Sequence, residues 1–181
     1  FLKTVLIGIL CGAAAWIFVE LLETMRRGFG KLRDRFKLWP PLVPVLGAVV
    51  LSVLILVVPT NYLGLSLPLM DRALGGEPMP YLGFLWKSLL VAITLGSGFY
   101  GGIVTPQFVI GAVLGGAFAH LLGLAPALGA AVGLVAVVAS ASNAPMAAIL
   151  MGVELFGADS TLYVAGACVA AYLIIGHRSV Y

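Results

Sequence analysis

A stretch near the middle of the chain, GSGFYGGIVTP at residues 96–106, combines residue types that can bind an ion through the backbone. Its four glycines can end one helix, because glycine adopts backbone conformations that are closed to other residues. Thr105 suits the N-cap of a new helix and Pro106 suits its first turn. The first N–H groups of a helix have no partner, and the helix dipole adds partial positive charge there. The stretch therefore predicts an anion site made of backbone, with cation coordination by carbonyls or a kink that only eases packing as the alternatives.

The composition indicates the surroundings of this stretch. Of the 181 residues, 62% are hydrophobic and only 9% are charged, and the mean hydropathy is +1.15. A soluble domain needs far more charge on its surface. No Asp, Glu, Lys or Arg occurs between Lys87 and Glu154, which is room for about three spans of ~20 residues. We therefore predict an all-α, polytopic membrane protein.

Glycine and proline divide the apolar sequence into helices, several of which are shorter than a full span. Short helices with broken backbone at membrane depth are typical of transporters and channels. Gly111 and Gly115 form a small-residue strip for close helix packing, as do Ala112 and Gly116. The predicted helices are 2–25, 39–58, 81–95, 106–122, 125–138, 145–156 and 160–175, with a short interfacial helix or loop within 60–80.

The charged residues predict topology. Six of the ten basic residues lie within residues 26–37, which we interpret as a cytoplasmic loop. Nothing aromatic or repetitive accompanies them, so we expect no nucleic-acid partner. Trp86 and Lys87 are expected to be interface anchors. Cys11 and Cys168 both lie in apolar stretches and are expected to be buried thiols without a disulfide.

Three motifs, in order, resemble those of the CLC family of chloride channels and transporters. GGIVTPQFVIGAVLG at 101–115 resembles the family's pore motif, SNAPMAAILMGVELFG at 142–157 its Ala-Pro-Leu…Glu segment, and GHRSVY at 176–181 the stretch that ends in a pore tyrosine. Val104 stands where the pore motif usually has Phe. This change and the other two motifs are more similar to the fluoride-exporting CLC-F branch, although that branch often has an acid in place of Ile103.

The resemblance implies a site and an architecture. The amides of Ile103 and Val104 would face a chloride or fluoride ion, the Tyr181 hydroxyl would donate to it, and Thr105 would also belong to the anion site. Gly101, Gly102, Thr105 and Pro106 would form the start of the half-helix. Residues 1–181 would be the second of two inverted-topology repeats, the C-terminal half of a transmembrane domain. The family's gating glutamate and anion-site serine would lie in the first repeat, outside this chain.

The resemblance also implies partners and a location. The coupled ions would be protons, and the chain would lie in the lipid bilayer of a bacterial inner membrane. Helices around 145–175 would form a homodimer interface. Glu154 would have a structural role there.

Two other functions compete with anion transport. An intramembrane serine protease could use Ser97 with His120 or His177, but it needs Ser and His within hydrogen-bond reach. A transporter of another solute would need an additional charged residue near the break to pair with an organic substrate, and residues 88–153 contain none. No cluster with metal-ligand spacing occurs, so we expect no enzyme activity, no metal and no cofactor.

Overall fold

The computed structural model describes residues 1–37 and 39–181, and these residues form eight α-helices and no strand. Short 3-10 turns lie at Thr60–Tyr62 and Ala158–Ser160. The all-α prediction is therefore confirmed. The helices are α1 (Leu2–Phe36), α2 (Leu42–Ile55), α3 (Leu67–Leu74), α4 (Gly83–Gly96), α5 (Val104–Leu121), α6 (Pro126–Ala141), α7 (Pro145–Phe156) and α8 (Thr161–Ile175).

Helices α5 and α6 form the centre of the fold, and α1, α4 and α8 pack around them. Every residue of α6 from Gly129 to Ala141 is buried. A helix that is apolar on all sides is typical of the interior of a membrane protein. The pair is therefore a fixed core on which the N-terminus of α5 is held.

Glycines let the backbones of α5 and α6 touch. A Cβ atom at Gly111 would overlap the carbonyl of Gly133, and one at Gly115 would overlap the carbonyl of Gly129. The predicted small-residue strip is confirmed at Gly111 and Gly115. Gly116, in contrast, has room for a Cβ atom, since the nearest atom to its Cβ position is Ala130 Cβ at 3.6 Å, an ordinary van der Waals distance.

Close backbone contact at glycines also joins α1 to α8. Cβ atoms at Gly8 and Gly12 would overlap the backbone of Ala167 and Ala171, respectively. Cys11 and Cys168 are buried at this junction as free thiols, so the expectation of no disulfide is confirmed. Packing through small residues is the usual way for helices to associate in lipid, where no hydrophobic force drives them together.

The basic segment is not a loop, and that prediction was wrong. Helix α1 continues to Phe36, and Lys37 closes it in the left-handed region (φ 46°) with its N–H donating to the Arg33 carbonyl. Arg and Lys are good helix formers, and Arg27 pairs with Glu23 one turn earlier. Arg33 and Arg35 lie in the last turn, where cations complement the helix dipole.

The other boundaries agree with the predicted pattern of short helices, with small shifts. Helix α2 ends at Ile55, three residues before the predicted end. The predicted interfacial segment contains α3 and the turn at Thr60–Tyr62. Three helical stretches are long and apolar enough to cross a membrane, namely Leu2–Phe36, Val104–Leu121 and Ala158–Ile175.

Substitution of Gly115 tests the close backbone contact between α5 and α6. Gly115→Ala places a methyl group against the Gly129 backbone, so we expect a loss of about 1–3 kcal/mol or more of stability, as overpacked cores show. Gly116→Ala, one residue away, meets no close atom and gains helix propensity, so it should keep stability or raise it by up to about 1 kcal/mol. Thermal unfolding in detergent of the full-length protein compares the two. Equal midpoints for both variants would contradict the close contact.

Candidate anion-binding site

The site begins at the break between α4 and α5. Gly98 has φ 99°, a conformation that side chains rarely adopt, and it turns the chain away from α4. Helix α5 then starts at Val104, with Ile103 as its N-cap. The prediction that Thr105 is the N-cap was wrong, because Ile103 already has near-helical dihedrals (φ −97°, ψ −19°) and the helix starts one residue before Thr105. Pro106 lies in the first turn as predicted.

The first amides of α5 have no protein acceptor. The N–H groups of Ile103, Val104 and Thr105 donate no backbone hydrogen bond outside a helix among the described residues 1–37 and 39–181. Within a helix the first N–H groups have no carbonyl to reach. No side-chain cap satisfies them either. The helix start therefore presents free donors together with the positive end of the helix dipole.

The C-terminal residues bring Tyr181 to this helix start. The Val180 N–H donates to the Ala141 carbonyl at 2.9 Å, and the Ser179 hydroxyl donates to the same oxygen at 3.3 Å. Ala141 is the last residue of α6, so the core pair anchors the tail. Tyr181 itself is 78% exposed. Tyr181, Ile103 and Gly101 line one cavity of about 320 Å³, in which a monatomic ion fits easily.

Of the other predicted site residues, three line a neighbouring cavity and two line neither cavity. Gly101 also lines a neighbouring cavity of about 310 Å³, together with Gly102 and Pro106. Val104 is 39% exposed and Thr105 is half-buried, and their side chains line neither cavity. The structure thus places Ile103 and Tyr181 together in one cavity and leaves Val104 and Thr105 outside both cavities.

Lys87 also lines the neighbouring cavity, although it was predicted to be an anchor at the membrane interface. It is 1% exposed, so it is no interface anchor. Its ammonium group donates to the Tyr62 carbonyl (3.2 Å), the Gly64 carbonyl (2.5 Å) and the Ser66 hydroxyl (2.8 Å). A buried charge is tolerated only when hydrogen bonds replace water. Its position as the last charge before a long uncharged stretch was the available signal.

Tyr62 adds no negative charge near Lys87. The turn at Thr60–Tyr62 lies outside the apolar helices, and burial raises the pKa of the Tyr62 phenol. A tyrosine is already neutral at neutral pH because its ordinary pKa is about 10, and the raised pKa extends the neutral form to more alkaline conditions. Among the described residues, no Asp or Glu lines either cavity.

Arg26 was also missed as a site residue. It lines the Ile103–Tyr181 cavity from α1, although it is 78 residues from Val104 in sequence. Gly96 makes this possible, since a Cβ there would meet Met25 Cβ at 2.6 Å and the Arg26 nitrogen at 3.2 Å. The basic run predicted a cytoplasmic loop, and nothing local in it pointed to this contact.

Gln107 ties the start of α5 to the end of α6. Its carboxamide oxygen accepts a hydrogen bond from the Ser142 hydroxyl at 3.0 Å. Its Nε2 is buried and has no acceptor among the residues that the structure describes. The link fixes the first turn of α5 against the second sequence break, which includes Ser142 and Asn143, the latter at φ 54°.

The protease constellation does not form. Ser97 is fully buried and its hydroxyl donates to the Thr94 carbonyl at 3.0 Å. His120 lies at the other end of α5, and a helix of 18 residues is about 27 Å long. His177 is exposed after α8 and makes no hydrogen bond with Ser97 in the described part of the chain. The residues needed for nucleophilic catalysis are therefore apart.

A family model described as "Voltage gated chloride channel" matches residues 1–176. The chain belongs to this CLC family. Membership and the three membrane-length helices make it part of an integral membrane protein, and they confirm the resemblance drawn from the three motifs.

Comparison with individual proteins agrees. A chloride/fluoride channel protein of Pseudomonas syringae pv. tomato is 36% identical over 181 residues, covering 96% of this CLC chain and 39% of the relative. The chloride channel protein CLC-f of Arabidopsis thaliana is 27% identical over 171 residues, covering 83% of this chain and 22% of that protein.

A solved structure confirms the CLC-type fold. The crystal structure of a CLC-type fluoride/proton antiporter matches this CLC chain with a TM-score of 0.91 and 36% identity, covering 100% of this chain and 45% of that one. The chain thus spans less than half the length of each of these three proteins.

The hydrogen bonds of Lys87 predict that its ammonium group stabilises the loop that contains Tyr62, Gly64 and Ser66. Lys87→Met leaves two carbonyls and a hydroxyl without their donor, so we expect a loss of about 1–3 kcal/mol per unsatisfied group and faster amide hydrogen exchange across residues 60–66. Lys3→Met is the control, because the Lys3 ammonium makes only a long, exposed contact with the Gly123 carbonyl at 3.5 Å. Unchanged exchange at 60–66 in Lys87→Met would show that the ammonium does not hold this loop.

Proposed function

We propose that the protein carrying this chain transports a halide ion, chloride or fluoride, across a membrane. The amides of Ile103 and Val104 would bind the ion and the Tyr181 hydroxyl would donate to it. The observation that carries the proposal is the cavity shared by Ile103 and Tyr181, beside helix amides that have no protein acceptor. Donors held rigidly at a helix N-terminus bind anions without any charged side chain.

The charges around the break favour a small anion. Lys87 and Arg26 each line one of the two cavities, and none of the lining residues is acidic. An organic zwitterion would leave its ammonium group without a carboxylate partner. A fully charged side chain as a direct ligand would bind the ion too tightly for release, whereas amide and hydroxyl ligands allow both entry and exit.

The choice of halide and the coupling to protons belong to the proposal. One relative is named a chloride/fluoride channel and the matching structure is titled a fluoride/proton antiporter. Val104 in place of the usual Phe supports the fluoride branch. We propose fluoride as a transported ion, with protons as the coupled ion.

We also propose that residues 1–181 form the C-terminal repeat of the transmembrane domain. The order of the three motifs supports this assignment, as does a long first helix whose basic end carries Arg26 to Lys37. By the positive-inside rule that end faces the cytoplasm of a bacterial inner membrane. A first repeat would then supply the other wall of the anion site.

A homodimer through α7 and α8 is part of the same proposal. The two helices expose a continuous set of large apolar side chains, including Met146, Leu150 and Leu162. Glu154 lies on α7, is exposed, and makes no ion pair within the described residues. A carboxylate at membrane depth usually finds a partner, and a second copy would supply it.

Removing one amide tests the site. Val104→Pro deletes the first N–H of α5, and Pro is well tolerated at the first helical position. Since hydrogen bonds to charged groups contribute about 1.5–3 kcal/mol, we expect halide affinity to fall roughly tenfold or more. Val104→Ala keeps the amide and is the matched control.

The measurement is halide efflux from liposomes containing the full-length protein, with chloride, fluoride and gluconate compared under a proton gradient. Wild-type protein should pass halide and not gluconate, and proton movement should accompany fluoride. Equal flux by folded Val104→Pro and Val104→Ala would exclude the amide as a ligand, and absence of any halide flux in the wild type would refute the function.

The dimer has its own test. Leu150→Trp and Leu162→Trp place bulk in the proposed interface, so we expect a larger monomer fraction at low protein-to-lipid ratio. Val53→Trp is the control, because Val53 is 61% exposed on α2, away from α7 and α8. Single-molecule photobleaching of labelled protein counts the subunits. The same dimer fraction in all three variants would place the interface elsewhere.

A further inference from the structure

Arg26 lies at a junction of two cavities. It lines the Ile103–Tyr181 cavity, and it also lines a cavity of about 530 Å³ on the other side of the turn at Gly98 and Tyr100. Its side chain is exposed. Arg26 therefore borders the turn at Gly98 and Tyr100 in both cavities, and one of these cavities reaches Ile103 at the start of α5.

The charge of Arg26 is uncompensated, unlike that of its neighbours. Arg27 pairs with Glu23, and Arg178 pairs with Glu20 near the same tail that carries Tyr181. No ion pair in residues 1–37 and 39–181 includes Arg26. An unpaired guanidinium beside a cavity raises the local potential, whereas a paired one contributes little at a distance.

The fold holds Arg26 there through the backbone. The tight approach of Gly96 to Met25 and Arg26 sets the depth of α1 at the break, and Gly96 is the last residue of α4. Rotation of α1 or a longer side chain at position 96 would move Arg26 from the cavity. The position of this charge is therefore built into helix packing and does not depend on a mobile loop.

We propose that Arg26 steers halide ions into the Ile103–Tyr181 cavity and so sets the rate at which they reach the α5 amides. This role rests on the proposed function, because it acts on the same transported ion. Steering by one charge acts over several ångströms and is screened by salt, with a Debye length of about 10 Å at 0.1 M and about 30 Å at 0.01 M. Arg26 acts on ion entry, while the amides bind the ion.

The first experiment compares Arg26→Gln, Arg26→Lys and Arg27→Gln in full-length protein in liposomes, at low and high ionic strength. We expect Arg26→Gln to lower initial halide flux by about threefold to tenfold near 0.01 M salt, and by less than about twofold at 0.5 M, where steering is screened. Arg26→Lys keeps the charge and should stay near the wild type. Arg27→Gln removes a paired arginine outside the cavities and should also stay near the wild type.

The second experiment changes the charge after folding. Arg26→Cys is treated with a cationic or an anionic thiosulfonate reagent, and Arg27→Cys receives the same treatment. Cys11 and Cys168 are buried and should not react. We expect the cationic adduct at position 26 to restore flux and the anionic adduct to lower it further, with little change at position 27.

The outcomes separate the two proposals. Absence of halide flux in the wild type would refute the proposed function and the steering role with it. Normal wild-type flux combined with equal effects at positions 26 and 27, or with no dependence on ionic strength, would overturn the steering role and leave the amide site intact.

Discussion

The contact between the backbones of α5 and α6 is the constraint on which the rest of the structure depends. At Gly111 and Gly115 no side chain separates the two helices, so the pair cannot slide without losing its packing. The N-terminus of α5 and the C-terminus of α6 are thereby held side by side. The first carries the free amides, and the second anchors the tail with Tyr181 through the Ala141 carbonyl. One packing interaction thus sets the positions of the α5 amides and of Tyr181 in the candidate site.

Charge is arranged around this core rather than within it. A long uncharged sequence keeps the helices stable in lipid, where an isolated charge is costly. The start of α5 supplies hydrogen-bond donors and a dipole without such a cost. In the described part of the chain, the two cavities are each lined by one full positive charge, Lys87 with its three oxygen partners and Arg26 on α1.

Local features of the sequence were enough for the helices, the break and the packing strip. Apolar runs, glycines and prolines act within a few residues, so the break at 96–103 and the strip at Gly111 could be predicted. The places of Lys87 and Arg26 were not predicted correctly, because they depend on contacts between segments that are distant in sequence. Burial of Lys87 requires the loop at 62–66, and the position of Arg26 requires Gly96. The basic run was predicted to be a loop, but it continues helix α1 to Phe36, because the charges indicate a side of the membrane and do not by themselves end a helix.

A crystal structure of the full-length protein grown in bromide would show whether a halide binds the amides at the start of α5. Bromide scatters anomalously and can stand in for the transported ion. We expect an anomalous peak in the Ile103–Tyr181 cavity, within hydrogen-bond distance of the Val104 amide nitrogen. If a protein oxygen accepts from these amides and bromide binds only elsewhere, the α5 amides are not the halide site.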